Sequence, residues 1–369
     1  MKRLSSVALV IVSLLTSLLL CNGASYVYLD FYTKSKDWIL PPEALQFYLS
    51  YENRLNHLRG PDFKNRFGHA WEDHRSLMFN RFSVTDSEEE ILIAGDSWAE
   101  EFVRNKKSYA TLKDLSVSNK TSITVSGTTS YSPTLIGIQS RILSSDFDLV
   151  FDTAFVVLDS TDIGDELCRY KNVTYRDQNG LLAARAFNGG DSMAVYNHSA
   201  MIRANSILLS DEVSLLKLLR LAIAKFELRL SSPDVLKCGW SEIASYLYTG
   251  ATLTERDHFI SRLDLMIEGL RTTNNEIEIF LITAPHRAHL EGEYVLSASD
   301  WVKHYLQSTG YSGIHMIDLS PRVMSLLNEG YGIDDLYLKD DPASHLTSLA
   351  HNKILVTLVA EKIIGSQSR

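Results

Sequence analysis

Two short stretches hold the residue types that acyl-transfer chemistry needs. In "ILIAGDSWAEEF", residues 91–102, an apolar run stops at Gly95-Asp96-Ser97 and turns at once into a segment with helical spacing. A serine there is either a helix cap or a nucleophile held at the tip of a sheet, and the tripeptide alone does not separate the two. In "YLKDDPASHLTSLAHNKI", residues 337–354, His345 stands in a polar loop that opens the last helix, with Asp341 just before it. A serine hydroxyl is a weak nucleophile until a base accepts its proton. Imidazole has the pKa range to act as base and then as acid, and a carboxylate on its other ring nitrogen fixes the tautomer. His351 is a competing base two turns into the helix, where a structural contact is the expected role.

The elements that must bring these loops together are read from periodicity. Short apolar runs, "EILIAG", "SITVSG", "TAFVVLDS", "EIEIFLITAP" and "GIHMIDLS", alternate with helical segments from residue 89 onward. That alternation predicts a flavodoxin-like three-layer α/β sandwich of about five parallel strands, one α/β domain over 89–369. In such sheets ligands bind at the carboxyl ends of the strands, which is where Ser97 falls. Strand signals nearly vanish over about 165–275, where "DEVSLLKLLRLAIAKFELRL" and "ERDHFISRLDLMIEGLRTT" predict a helical insertion after the third strand. Residues 31–88 form a polar-aromatic lead-in packed on the domain.

The chain has 369 residues, is 45% hydrophobic and 22% charged, and carries a formal net charge of -9. A globular core is therefore expected, and the acidic balance argues against a nucleic-acid partner. Residues 1–30 follow the plan of an export signal: Lys2 and Arg3, an apolar run from about Val7 to Cys21, then small residues that permit cleavage after Ala24. The same segment, extended by "YVYLDFY", also reads as an uncleaved membrane anchor. Either way the remainder is expected outside the cytoplasm, periplasmic or secreted, with the N-terminus as its contact with the membrane. Cys168 and Cys238 then pair in a disulfide or remain two thiols. Glycosylation sequons occur at Asn119, Asn172 and Asn197.

"GDSW" after a buried strand, a glycine after the second strand, an acidic turn after the third, and Asp-x-x-x-His before the last helix resemble the SGNH/GDSL hydrolases, in the same order, over about residues 89–365. "VSGTTSYSPTLIGIQ" is further similar to the branch that O-acetylates exported polysaccharides, such as the alginate acetylation proteins. The resemblance implies a Ser97 nucleophile, a His345 base oriented by Asp341, and an oxyanion hole that includes the N–H groups of Ser97 and Gly127. Two departures stand out. The family's asparagine after the third strand is replaced in "VVLDSTDIGDE", where the Thr161 hydroxyl is the candidate donor. The usual Asp-x-x-His is one residue longer and contains Pro342, so Asp340 competes with Asp341, though through a longer loop.

"TAPHRAH" places His286 and Arg287 after the fourth strand, as contacts for a substrate carboxylate or sugar hydroxyls or as part of a solvated loop. Trp98 either stacks on a sugar or packs on the sheet. No metal site and no cofactor are expected. The functional expectation is an extracytoplasmic serine esterase or O-acyltransferase acting on ester groups, O-acetyl above all, of a glycan. Its partners would be the acyl-ester substrate and an acyl donor protein. The rivals are a non-catalytic carbohydrate-binding or scaffold protein on the same fold, and a membrane-associated lipase.

Overall fold

The five apolar runs form the parallel strands of one sheet. In the computed structural model, which describes residues 2–34, 40–55, 58–59, 74–171, 173–184, 202–230, 238, 240–272 and 274–366, the strands are β1 (Asn80–Phe82), β2 (Glu89–Gly95), β3 (Thr121–Val125), β4 (Thr153–Leu158), β5 (Thr174–Arg176), β6 (Leu182–Ala184), β7 (Glu278–Thr283) and β8 (Ile314–Asp318). Six of them make the central sheet in the order β1-β3-β2-β4-β7-β8. All neighbours run parallel except β1, which pairs antiparallel with β3 and sets Asn80 opposite Val125. The parallel strands thus follow the flavodoxin-like order, and their topological switch point lies between β2 and β4.

Besides short helical turns such as Arg287–Leu290 and Ile333–Leu336, the helices are α1 (Lys2–Lys34), α2 (Pro42–Leu55), α3 (Ser97–Arg104), α4 (Lys106–Ser118), α5 (Pro133–Phe147), α6 (Thr161–Gly164), α7 (Ser214–Leu230), α8 (Trp240–Thr249), α9 (Leu253–Leu270), α10 (Ala298–Thr309), α11 (Ser320–Asn328), α12 (Ser348–His351) and α13 (Thr357–Ser366). Those packed on the sheet lie on both of its faces, which is why its inner strands are largely apolar rather than alternating with polar residues. Successive strand residues feed opposite cores. Ile91, Ile93, Phe155 and Val157 pack with α3, α4 and the C-terminal helices. Leu92, Ala94, Ala154 and Val156 pack with α2, α5, α9 and α10.

Local chemistry fixes the helix starts. Thr252 and Glu255 form a reciprocal capping box at the head of α9. Pro133 opens α5, and the buried Glu166 carboxylate accepts the Thr134 N–H at 3.1 Å and the Thr134 hydroxyl at 2.8 Å.

Two features depart from the sequence reading. The lead-in supplies an edge strand, β1, too short to register as a period. Within 165–275 the chain forms an antiparallel hairpin, β5–β6, so that stretch is not purely helical. Its turn, Asp177-Gln178-Asn179-Gly180, is closed by Asp177 Oδ1, which accepts N–H groups of Asn179 and Leu181. Cys168 and Cys238 are disulfide-bonded, with Cα atoms 5.5 Å apart. Asn119 sits at the C-cap of α4, whereas Asn172 and Asn197 lie outside the described residues. At the N-terminus α1 carries an apolar stretch, Ile11–Phe31, long enough to cross a bilayer.

Candidate active site

The loops that follow β2 and β4 meet at the switch point, and the loop before α12 closes over them. Gly95 ends β2 with φ 146°, and a Cβ there would lie 2.6 Å from the Val157 carbonyl oxygen, so the tight exit from the strand requires glycine. Asp96 is the N-cap of α3: its Oδ1 accepts the Trp98 N–H at 2.9 Å. Ser97 is therefore the first residue of a helix, where a backbone N–H is free of an intrahelical acceptor.

His345 reaches the same point from the other end of the chain. Asp341 organises the turn that presents it: Oδ1 accepts the Ala343 N–H at 3.1 Å, Oδ2 the His345 N–H at 2.9 Å, and the Asp341 carbonyl the Ser344 N–H at 3.0 Å. Asp340 and Ser344 both take positive φ, 57° and 55°, to make so sharp a turn around Pro342. His345 Nδ1 then lies 2.6 Å from Asp341 Oδ2, and His345 Nε2 lies 2.6 Å from Ser97 Oγ. The serine, imidazole and carboxylate form one continuous line of hydrogen bonds. Asp340, the competing carboxylate, is exposed and outside that line.

The electrostatics follow the geometry. Burial works to raise Asp341, but its bonds from the His345 imidazole and from the His345 and Ala343 N–H groups outweigh it and hold the carboxyl at about 2. Burial works to lower His345, yet its hydrogen bond and charge pairing with Asp341 push it above its ordinary range.

Gly127 lies beside α3. A Cβ on it would meet the Glu100 backbone nitrogen at 2.2 Å, so the backbone comes as near as glycine allows. Ser126 and Thr128 donate to the carbonyls of Ile93 and Gly95 at 2.8 and 3.1 Å, which extends the β3–β2 pairing to the site. Buried Arg59 donates to the carbonyls of Gly127 at 2.8 Å and Val125 at 3.0 Å. No sequence signal pointed to Arg59, because a lone arginine in a polar lead-in looks like surface.

The other residues singled out in the sequence are placed differently. The Thr161 hydroxyl donates to Asp159 Oδ1 at 2.6 Å, so it is engaged within its own turn and not directed at a bound carbonyl. Trp98 is 1% exposed and packs in the core with Phe102, which removes it as a stacking surface for sugar. His286 is buried next to the base: its Nε2 is 3.2 Å from the Pro342 carbonyl and its Nδ1 accepts the Ala288 N–H at 3.2 Å. Arg287 is ion-paired with Asp334 at 2.7 Å and Glu291 at 3.0 Å. His351 faces inward, with Nδ1 3.1 Å from Ser108 Oγ, and burial pushes it down to about 4, so it stays neutral.

What the sequence reading passed over is the acidity behind the serine. Carboxylate oxygens of Asp96, Asp159 and Asp162 lie within 4.8 Å of one another, all three residues buried. The run "DSTDIGDE" was the available signal, read only as an acidic turn.

No family model and no curated protein matches the chain. Among solved structures, it is similar to an acetyl xylan esterase (Est2A) from the rumen bacterium Butyrivibrio proteoclasticus, at 8% identity and a TM-score of 0.36, over 77% of this chain and 65% of that one. At that identity and superposition, nothing about the activity of this chain follows from the likeness.

Proposed function

We propose that this protein is a serine hydrolase or O-acyltransferase that works on ester groups, O-acetyl above all, of a glycan outside the cytoplasm, held near the membrane by α1. The observation that carries the reading is the line Ser97–His345–Asp341, with both links at 2.6 Å. Ser97 Oγ attacks the ester carbonyl as its proton passes to His345 Nε2, and the Asp341 carboxylate stabilises the imidazolium that forms. The tetrahedral oxyanion is met by the N–H groups of Ser97 and Gly127. The intermediate collapses with loss of the alcohol, which takes the proton from His345, and leaves an acyl-serine. Water, or a sugar hydroxyl supplied as acceptor, then resolves the acyl-serine with His345 again as base. The acyl donor in the transferase case would be a partner protein or an acylated glycan.

A fluorophosphonate probe tests this directly. Labelling of the full-length protein at Ser97, abolished by Ser97→Ala, is expected; no labelling of correctly folded protein overturns the reading. Short and long acyl esters compared side by side separate an acetylesterase from a membrane lipase, and acetylated glycan with and without a sugar acceptor separates hydrolysis from transfer. One observation favours a non-catalytic glycan-binding protein instead: the Thr161 hydroxyl is engaged by Asp159 and is not free to donate to an oxyanion. The same probe decides between the two.

A further inference from the structure

The Ser97 hydroxyl has one hydrogen and two close partners. His345 Nε2 lies 2.6 Å from Ser97 Oγ and Asp96 Oδ2 lies 3.0 Å from it. Nδ1 of His345 faces the Asp341 carboxylate, so that nitrogen carries the proton and Nε2 of the neutral ring is an acceptor. The serine hydrogen then points to Nε2, and a serine lone pair faces Asp96 Oδ2. An ionised Asp96 would oppose two acceptors there; a protonated one makes a hydrogen bond.

The surroundings assign the ionised member of the cluster elsewhere. Asp159 Oδ1 accepts three donors: the Thr161 N–H at 2.7 Å, the Thr161 hydroxyl at 2.6 Å and the Asp162 N–H at 3.2 Å. Asp162 Oδ2 accepts the Asp159 N–H at 2.9 Å, while its Oδ1 is buried with no hydrogen-bond partner among the described residues. Asp96 Oδ1 accepts the Trp98 N–H, and Oδ2 has Ser97 as its neighbour. The three side chains are 3% exposed or less, and three buried negative charges so close together repel strongly. Burial, then the neighbouring Asp159 carboxylate, pushes Asp96 well above the usual carboxylate range, against the opposing influence of His345.

Building on the proposed triad, we infer that Asp96 is a carboxylic acid at the pH where His345 is neutral and active as base, and that it donates its Oδ2 hydrogen to Ser97 Oγ. Asp96 is thereby a positioning residue: it directs the serine's own hydrogen to His345. As Ser97 attacks, its proton moves to His345 Nε2, and the Asp96 proton stays on Asp96. The aspartate of the Gly-Asp-Ser turn thus caps α3 with one oxygen and orients the nucleophile with the other.

The test is infrared spectroscopy of the full-length protein in detergent micelles at pH 8, in water and in deuterium oxide. A deuterium-sensitive carbonyl stretch of a buried carboxylic acid is expected, weakened in Asp96→Asn. In ester hydrolysis, Asp96→Ala is expected to lower kcat by roughly threefold to tenfold, as loss of one hydrogen bond to the nucleophile would. Asp96→Asn is expected to rescue most of that loss, because an amide N–H stands where the acid O–H stood. The inference is overturned if folded wild-type protein has no such band at pH 8, or if the band is the same in Asp96→Asn. It is also overturned if dialysed protein binds calcium or magnesium stoichiometrically in a manner abolished by Asp162→Asn, since the cluster would then be a cation site. The spectrum is read whether or not an ester is turned over. Failure of the proposed activity and failure of this inference are therefore distinguishable.

Discussion

Ser97 Oγ and His345 Nε2 stand 2.6 Å apart although 248 residues separate them in the chain. The sheet brings Ser97 to its carboxyl edge at the end of β2, and the Asp341 turn extends His345 to the same point just before α12. Under the proposed function each part of this arrangement has a measurable consequence.

Replacing Asp341 by Asn removes the acceptor that fixes the His345 tautomer while leaving a side chain of the same size. A fall in kcat of roughly 10² to 10⁴ is expected, with a much smaller change in KM, by the logic of a Ser-His-Asp triad. Steady-state kinetics on a short acyl ester checks it. Asp340→Asn, outside the hydrogen-bonded line, serves as the control and is expected to have little effect.

The pH profile follows from His345. The base must be neutral to accept the serine proton, and its pKa is raised above the ordinary value of 6.5, by Asp341 first. The value of kcat/KM is therefore expected to rise with pH through a midpoint above 6.5. Asp341→Asn removes the largest raising influence and is expected to move that midpoint down.

Gly127→Ala places a methyl group where the Glu100 backbone nitrogen already lies 2.2 Å away. Backbone cannot yield as a flexible side chain would, so β3 and α3 must separate. A loss of about 1–3 kcal/mol in unfolding free energy is expected for overpacking of this kind, together with lowered activity. Denaturant unfolding beside kinetics measures both.

His351 gives a separate stability signature. Its folded pKa, about 4, lies below the ordinary 6.5. The unfolded chain thus binds a proton more readily between those values. The stabilising contribution is complete above about pH 6.5 and is lost as pH falls toward 4, by roughly 3 kcal/mol for a shift of that size. His351→Gln is expected to flatten this part of the stability profile in thermal melts taken from pH 7 to pH 4.

The Cys168–Cys238 disulfide closes a loop with a sequence separation of 70 and ties the chain after α6 to the start of α8, which packs on α6. Paired serine substitutions are expected to cost about 2–4 kcal/mol. Differential scanning calorimetry of oxidised, reduced and doubly substituted protein checks this.

Much of the fold was legible because it rests on local pattern. The inner parallel strands are buried on both faces, so their runs are short and largely apolar, and each ends at a turn or helix signal. β1 was not legible, because three residues of an edge strand, with Asn80 and Arg81 half-buried, carry no period. The β5–β6 hairpin was hidden by its brevity, although Asn179-Gly180 marks its turn. Ser97, His345 and Asp341 could be named from residue type, spacing and family resemblance. The direction of the Thr161 hydroxyl, and the choice between the two readings of Trp98, were not legible for a common reason: sequence gives a side chain's position along an element but not the direction in which it points.

By itself, then, the sequence determined the parallel α/β plan, the loops that reach the sheet edge and the residue types those loops carry, since all three depend on order along the chain. Only the tertiary structure decided that Asp341 rather than Asp340 faces His345, that Cys168 meets Cys238, and that Asp96, Asp159 and Asp162 converge behind Ser97. Those outcomes depend on backbone turns such as Asp340 and Ser344 at positive φ and on the parallel pairing of β2 with β4 at the switch point. There, distances of a few ångströms are set by packing between segments far apart in the chain, and no local pattern encodes them.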